Sequence, residues 1–368
     1  ANVVHAGFYG TSQVATGHTL KYGLNMQFED IKDKISEWEK RDSAGYSLPN
    51  TGTDVNVVAN LFSDNKLNSQ RFSGYLQDVF KFRSEKGLFT LVAGVRGSYW
   101  TFNKEFIFSP RASIGFIPTA NQNFTFRFAT GLYYQAPFYK ELRVEVKDEK
   151  GNSEIQLNDK LKSQRSLHFI LGGDYAFRQM GRNFKISTDI YYKNLSNLNP
   201  YTVDNVKVRY YGENCAKGYT AGIDMKFFGE FVPGTDSWIS VSLMKTEQTI
   251  TKDGQETKAP LPNSQGFNVS LYFQDYFPGN KRAMFNLKGV VAGGIPVTVP
   301  RQGYEHYRRT PAYRRVDAGL TYQLASGESE LMERGFFRHF KNIWIGVDVF
   351  NLLDIKNTGS YYWITDAY

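Results

Sequence analysis

The sequence predicts an all-β fold of a single architecture, a transmembrane antiparallel β-barrel. Three observations predict it: short and long gaps alternate between the strand-like segments, each segment alternates apolar and polar residues, and the composition is polar yet rich in aromatic residues. The mean hydropathy is −0.45, although aromatic residues make up 16% of the 368 residues. A barrel accounts for both values, because every second residue of a strand faces lipid while the others face a polar lumen.

The connections between segments alternate in length along the chain. Outer-membrane barrels have short turns at the periplasmic end and long loops at the outer end, whereas a soluble β-sandwich has no reason to sort its loops by end. The gap lengths therefore predict turns toward the periplasm and loops toward the outside. The short gaps are 15–17, 84–86, 119–122, 179–181, 234–235 and 279–280, and the long gaps lie near 37–69, 137–163, 197–216, 250–263 and 297–311.

Counting the alternating segments in chain order gives about fourteen strands. Aromatic pairs such as Tyr99-Trp100 and Tyr133-Tyr134 stand near their loop-side ends, where an interfacial girdle belongs. The predicted strands cover 3–14, 18–35, 70–83, 87–102, 107–117, 123–136, 164–178, 182–196, 217–231, 236–249, 264–277, 282–296, 312–324 and 341–353.

The alternation inside the strands separates an apolar set from a charged set. An Arg or Lys that faced lipid at the membrane midplane would cost about 2–4 kcal/mol, so we expect mid-strand charges to face a wet or protein-filled interior. The set expected to face lipid comprises Phe89, Leu91, Phe124, Phe126, Ile186, Val269, Leu271 and Val347, and the set expected to line the lumen comprises Arg96, Arg127, Lys185 and Asp189.

The sequence offers no pattern for catalysis or nucleic-acid binding. The five histidines are dispersed, without a His-Glu-x-x-His motif. The single cysteine, Cys215, excludes an intrachain disulfide and fits no Cys-based metal site. The net charge of +8 is spread along the chain, without a basic helix or an aromatic RNA-binding signature. We therefore expect no enzyme activity, no cofactor, no metal site and no nucleic-acid partner.

Five motifs, taken in order, carry a family resemblance. They resemble the C-terminal barrel part of a TonB-dependent outer-membrane receptor of the Bacteroidetes type, and their order and spacing cover almost the whole chain. The motifs are Ser109-Pro110-Arg111, Gln135-Ala136-Pro137-Phe138-Tyr139, Tyr313-Arg314-Arg315-Val316-Asp317, Val349-Phe350-Asn351-Leu352-Leu353-Asp354 and Ser360-Tyr361-Tyr362-Trp363.

The resemblance implies a barrel of about 22 strands whose lumen holds an N-terminal plug. Residues 1–368 are then expected to form an outer-membrane β-barrel segment that lacks the plug domain, the first strands and the last strand. Open sheet edges in lipid would leave backbone groups unpaired, so the remaining strands and the plug are expected as partners. The resemblance further implies that TonB acts through the missing N-terminal part.

One candidate ligand contact lies where a predicted strand leaves the membrane at its loop end. Tyr139, Glu141 and Arg143 open the long segment 137–163 and offer an aromatic ring and both charges. The alternative interpretation is that Pro137-Phe138-Tyr139 ends the strand and anchors it at the interface. Both interpretations stay open at this stage.

A second candidate is the basic segment 301–315. Arginine forks suit carboxylate or phosphate groups. The segment therefore suits lipopolysaccharide phosphates or acidic neighbouring loops, an anionic ligand at the loop mouth, or a partner protein. Its candidate ligand-binding residues are Arg301, Tyr304, His306, Arg308 and Arg309, followed by Arg314 and Arg315.

One turn-end connection is long enough for structure of its own. Segment 325–340 has Ser326 and Ser329 as candidate N-caps, acidic residues after them and Gly335 as a candidate end. We expect a short periplasmic helix that ends near Gly335.

These expectations converge on transport at the bacterial outer membrane. The family resemblance implies energised import of a scarce, bulky nutrient such as an iron chelate, cobalamin, a peptide or a glycan, with this chain forming most of the barrel wall and the external loops. Its expected surroundings are outer-membrane lipid and lipopolysaccharide. The alternative is a structural or assembly component of an outer-membrane complex without transport activity, in stable contact with a surface lipoprotein.

Overall fold

The computed structural model describes residues 1–41, 56–147, 153–204, 207–298, 307–327 and 335–361. Seventeen of its strands form one sheet and two short hairpins stand apart. The strands are β1 (Asn2–Ala15), β2 (His18–Arg41), β3 (Asn56–Arg83), β4 (Gly87–Trp100), β5 (Glu105–Pro118), β6 (Phe124–Gln135), β7 (Arg143–Lys147), β8 (Ser153–Leu157), β9 (Gln164–Gln179), β10 (Arg182–Leu198), β11 (Tyr201–Asp204), β12 (Lys207–Tyr210), β13 (Ala216–Val232), β14 (Thr235–Lys252), β15 (Gln255–Ala259), β16 (Phe267–Phe277), β17 (Asn280–Ala292), β18 (Pro296–Thr298), β19 (Tyr307–Arg309), β20 (Tyr313–Ser326) and β21 (Asn342–Val349).

The fourteen predicted strands are all present as successive antiparallel neighbours. They are β1 to β6, β9, β10, β13, β14, β16, β17, β20 and β21. The main difference is that β2 and β3 continue well beyond the predicted ends at 35 and 70. The apolar alternation stops there, but the backbone ladder does not need an apolar face once the strands leave the lipid.

The two ends of the sheet carry different connections, as predicted from the gap lengths. Tight turns join β1 to β2, β9 to β10 and β16 to β17, and Gly17 and Gly181 supply the positive φ angles of +80° and +78° that such turns require. The strands β2, β6, β10, β14 and β17 run to the opposite end of the sheet, and long stretches of chain follow each of them. We refer to these as the turn end and the loop end.

The connection after β20 contains a short 3-10 helix at Gly335–His339. The predicted helix between Ser326 and Gly335 lies mostly outside the described residues and stays a prediction. Gly335 has a φ of +50°, a backbone conformation that glycine adopts without strain and that suits a change of chain direction. The candidate cap Ser329 lies outside the described residues. No helix among the described residues is long and apolar enough to cross a membrane.

The strand register divides the sheet into an apolar face and a polar face. Phe89 lies opposite Phe116, and Phe116 lies opposite Phe126. The predicted lipid-facing residues all belong to this apolar face, and Arg96, Arg127, Lys185 and Asp189 belong to the other.

Aromatic rings mark both ends of the apolar face. At the turn end, ring centroids lie 5.1 Å apart between Phe82 and Phe89 and 4.6 Å apart between Phe89 and Phe116. Tyr99 stands on the same strand as Phe89, ten residues toward the loop end, which is about 33 Å along a strand. At a tilt of about 40°, this corresponds to about 25 Å across the membrane, the height of the apolar band of outer-membrane barrels.

A buried cluster lies at the loop end, where segment 137–163 folds back on the extended β2–β3 hairpin. Leu67, Trp100, Leu142 and Leu161 are each at most 4% exposed and pack together. The strand β8 adds to the edge of β3 in a parallel pairing that begins at Leu61 and Ser153. The described parts of the segment, 137–147 and 153–163, are therefore packed against the sheet.

Candidate functional site

Ion pairs cross three neighbouring strands in the middle of the polar face. Arg127 of β6 pairs with Asp174 of β9, and its second guanidinium nitrogen lies 3.2 Å from Asp189 Oδ1 of β10. Lys185 Nζ lies 3.1 Å from Asp174 Oδ2. The side chain of Asp174 is only 10% exposed, so the two cations compensate the charge of a largely buried carboxylate. We refer to these four residues as the strand network.

A glycine makes the strand network possible. Gly172 stands directly between Arg127 and Asp189 in the register of the three strands. A Cβ atom at Gly172 would lie 2.1 Å from Asp189 Oδ1 and 3.2 Å from Arg127 Nη2. The absence of a side chain on the middle strand lets the arginine reach across it to the carboxylate.

A basic recess of about 560 Å³ opens on the polar face toward the loop end. Arg71, Arg96 and Arg111 line it together with His5, Tyr75 and Ser109. Volumes of about 300–1,000 Å³ are typical of sites for small molecules. We refer to this cavity as the basic recess.

The three arginines of the basic recess differ in their partners. Arg71 stacks on Trp100, 3.8 Å from the ring centroid, and its Nε lies 3.4 Å from Glu29 Oε2. Arg96 donates to Ser73 Oγ at 3.1 Å, and the guanidinium of Arg111 lies 4.2 Å from the centre of the Tyr133 ring. Neither Arg96 nor Arg111 forms an ion pair with a carboxylate of the described residues. The recess therefore carries uncompensated positive charge.

At the loop end, Asp33 binds Tyr139 and Arg143, two of the predicted ligand-binding residues. Its Oδ2 accepts hydrogen bonds from Arg143 Nη2 at 2.7 Å and from the Tyr139 hydroxyl at 3.2 Å. Burial raises the pKa of Tyr139 to about 12, and the negative charge of Asp33 acts in the same direction. Tyr139 therefore stays a hydrogen-bond donor at neutral pH. We refer to Asp33, Tyr139 and Arg143 as the Asp33 cluster.

Glu141 is turned into the protein. It is 5% exposed, and its Oε2 accepts the backbone N–H of Phe138 at 3.0 Å. Burial raises the pKa of Glu141, and the hydrogen bond from Phe138 opposes that shift. The side chain of Asn199 donates to the Glu141 carbonyl at 3.3 Å, which ties segment 137–163 to the next loop.

The described arginines of the basic segment 301–315 differ in their contacts. Arg301, Tyr304 and His306 lie outside the described residues. Arg309 donates to the carbonyls of Ser264 and Gly294 at 2.5 and 2.9 Å, so it holds two loops together. Arg308 is exposed on the hairpin of β18 and β19. Arg315 Nη2 lies 2.9 Å from Asp317 Oδ2, whereas no side-chain hydrogen bond or ion pair joins Arg308 to another described residue.

Comparison with known proteins decides the family. Residues 3–352 match the family model described as "TonB dependent receptor-like, beta-barrel". This chain belongs to the TonB-dependent receptor family. No curated protein matches the chain in sequence.

Solved structures agree on the fold of this TonB-dependent receptor barrel. The outer membrane transporter YddB from Escherichia coli has a TM-score of 0.64 at 13% identity, over 96% of this chain and 51% of that one. The siderophore receptor PirA from Acinetobacter baumannii has a TM-score of 0.60 at 16% identity, over 97% and 51%. A mutant of the ferric enterobactin receptor PfeA from Pseudomonas aeruginosa has a TM-score of 0.60 at 14% identity, over 96% and 48%. The chain spans about half the length of these structures.

Membership confirms several sequence predictions. The TonB-dependent receptor family comprises transport proteins of the outer membrane and not enzymes. The fourteen-strand antiparallel sheet matches about half the length of such a receptor chain.

Two residues of the site, Asp174 and Asp33, were not predicted from the sequence, and only the position of Asp174 follows from the strand alternation. Asp174 joins the strand network and could have been found from the sequence, because it alternates with Tyr175 in a predicted strand. Asp33 has no such signal, since 106 positions separate it from Tyr139. The roles of Tyr139, Glu141, Arg143, Arg308 and Arg309 in ligand binding stay predictions.

Proposed function

We propose that this chain forms barrel wall and external loops of a TonB-dependent importer, and that its cargo is a bulky anionic nutrient. The observation that carries the proposal is the basic recess, where Arg96 and Arg111 have no carboxylate partner among the described residues. The polar face lines the lumen in this proposal, because mid-strand charges are costly against lipid.

The chemistry of the recess favours carboxylate, phosphate or catecholate oxygens. Guanidinium groups bind such oxygens through charge-assisted hydrogen bonds, which contribute about 1.5–3 kcal/mol each. Hydroxyl groups of Tyr75 and Ser109 line the same cavity and add neutral donors. The strand network lies deeper in the polar face and is already compensated, so it serves the wall and not the cargo.

The import proposal includes parts outside this chain. A plug and the remaining strands complete the barrel, and TonB acts on the plug from the periplasm. Three chelate families of different charge test the class of cargo: a ferric tricatecholate, ferric citrate and the neutral ferrichrome. Neutral cobalamin serves as a fourth cargo.

The experiment measures uptake of each cargo by cells that carry the full-length receptor, with and without TonB. We expect TonB-dependent uptake of at least one anionic chelate, and a decrease of about tenfold or more in the Arg96→Glu/Arg111→Glu variant, because about 1.4 kcal/mol corresponds to tenfold in binding. Arg178→Glu is the control, since Arg178 is exposed at the turn end and, among the residues that the structure describes, donates only to the Gly181 carbonyl.

Two results would contradict the proposal. Uptake of an anionic chelate that survives the double charge reversal would reject the recess as the binding surface. Absence of TonB-dependent uptake for every cargo, in a receptor that inserts normally, would favour the alternative of a structural component.

A further inference from the structure

A trough interrupts the apolar face just below the loop-end aromatic row. Gly74 of β3 and Gly97 of β4 lie directly opposite each other and expose no side chain. The cavity above them has a volume of about 740 Å³. Its lining includes Phe8, Leu24, Phe72, Tyr99 and Phe106. We refer to it as the glycine trough.

The position of the glycine trough identifies the part of the membrane that it meets. Tyr99 marks the outer interface, and Gly97 lies two residues below it on the same strand, about 5 Å deeper when the tilt of about 40° is included. The trough therefore opens into the upper acyl-chain region of the outer leaflet. Its walls are apolar, so an acyl chain fits it and a hydrated group does not.

Lysines continue the same face above the trough. Lys104 ends the connection between β4 and β5, two residues beyond Phe106. Lys32 and Lys66 stand opposite each other on β2 and β3, on the face that carries Met26 and Phe72, and Asp30 stands on that face two residues closer to the trough than Lys32. All three side chains are exposed, and none forms an ion pair with a carboxylate of the described residues.

The heights of these lysines discriminate between lipids. Lys104 lies about 5 Å above the aromatic row, whereas Lys66 lies six residues beyond Phe72, about 20 Å along the strand and about 15 Å in height. The headgroup layer of a phospholipid extends only about 5–8 Å beyond the hydrocarbon core. A ligand that reaches all three lysines must therefore carry anionic groups at two different heights.

We propose that this surface is a specific lipopolysaccharide site of the receptor. One acyl chain fills the glycine trough, a lipid A phosphate meets Lys104, and phosphate groups of the inner-core sugars meet Lys32 and Lys66. The trough is continuous with the lipid-facing surface, so its occupant is a lipid. The lysines without ion-pair partners lie at two heights, which favours lipopolysaccharide over a phospholipid.

The test uses the purified full-length receptor in detergent and measures bound lipid by native mass spectrometry. The probes are rough-type lipopolysaccharide with its inner core, lipid A alone and phosphatidylglycerol. We expect the wild-type receptor to retain lipopolysaccharide best, lipid A less and phosphatidylglycerol least. Equal retention of all three would overturn the proposal.

Gly97→Leu fills the trough with little strain, because a Cβ atom there would first meet Phe106 at 3.6 Å. We expect it to reduce bound lipid A and lipopolysaccharide at least fivefold. Gly173→Leu is the matched control, since Gly173 lies on the same face and its Cβ would first meet Thr125 O at 3.7 Å. Unchanged binding in Gly97→Leu, or equal loss in both variants, would overturn the trough as the acyl site.

The lysines give a second test that does not depend on packing. We expect Lys32→Gln/Lys66→Gln to bring lipopolysaccharide binding down to the level of lipid A, and Lys104→Gln to weaken both. Lys86→Gln at the turn end should change neither. Lipopolysaccharide binding that persists in the triple lysine variant would overturn the headgroup assignment. Heat-modifiable migration in a detergent gel verifies that each variant is folded.

Discussion

The strand network and the Asp33 cluster are both built around an arginine and carboxylates, but they are held in place in different ways. In the strand network, Arg127, Asp174 and Asp189 stand on adjacent strands, and the backbone ladder brings them together. In the Asp33 cluster, Asp33 meets Arg143 only because segment 137–163 folds back over the β2–β3 hairpin.

The comparison shows that the Asp33 cluster holds a loop in position, whereas the strand network joins strands that the backbone already pairs. The strands β6, β9 and β10 are paired by a backbone ladder that does not depend on the strand network. Segment 137–163 has fewer ladder bonds and depends on side chains such as Asp33 and Leu142 for its position. We therefore expect substitutions in the Asp33 cluster to open a loop, and substitutions on the strand faces to act on insertion and on the whole sheet.

The largest effect is expected from Leu171→Arg, a substitution that tests whether the apolar face contacts lipid and the strand network faces away from it. Leu171 stands mid-strand on the apolar face of β9 and is 58% exposed. We expect Leu171→Arg to destabilise the membrane-inserted receptor by about 2–4 kcal/mol, measured as the urea dependence of folding into vesicles. The neighbouring Ile170 points to the polar face, so Ile170→Arg should cost clearly less. Equal costs would contradict the division into two faces.

An intermediate effect is expected from Asp33→Ala. The substitution leaves Arg143 and Tyr139 without their shared acceptor, and an unsatisfied partly buried group costs about 1–3 kcal/mol. Hydrogen exchange of the Asn158 amide, which donates to the Leu142 carbonyl at 2.8 Å, reports the local opening. Asp64→Ala is the control on the same hairpin, because Asp64 is 68% exposed and 3.9 Å from Lys34. Unchanged protection in Asp33→Ala would show that the cluster does not hold the loop.

The smallest effect is a pH dependence of the same loop. Burial raises the pKa of Glu141, so its stabilising contribution is complete below the unfolded value of about 4.3 and is lost as the pH rises through the folded pKa. We expect protection of the Asn158 amide, which donates to the Leu142 carbonyl, to decrease over that window after correction for intrinsic exchange. Glu141→Gln should abolish the dependence, whereas the more exposed Glu145→Gln should preserve it. Protection that increases with pH in the wild type would refute the assignment.

The contrast also explains what the sequence could predict. Period-2 alternation predicted the fourteen strands, their two faces and the positions of Arg127, Lys185 and Asp189, because all of these follow from local spacing. It could not predict that Asp33 and Arg143 meet, since nothing local joins residues so far apart. The extended part of β2 was missed because its side chains lose the apolar alternation beyond the lipid. The helix predicted between Ser326 and Gly335 lies mostly outside the described residues, so it stays a prediction.

Gly172 has a consequence for how the barrel is assembled. A slip of one residue between β9 and its neighbours would exchange the two faces and be rejected at once. A slip of two residues keeps the faces, and hydrophobicity alone would accept it. Such a slip would bring Ile170 or Asp174 into the row between Arg127 and Asp189, and either side chain would separate the two charges. The row of Arg127, Gly172 and Asp189 therefore favours the native register of β9 over a slip of two residues. The apolar and polar faces of the sheet do not distinguish these two registers.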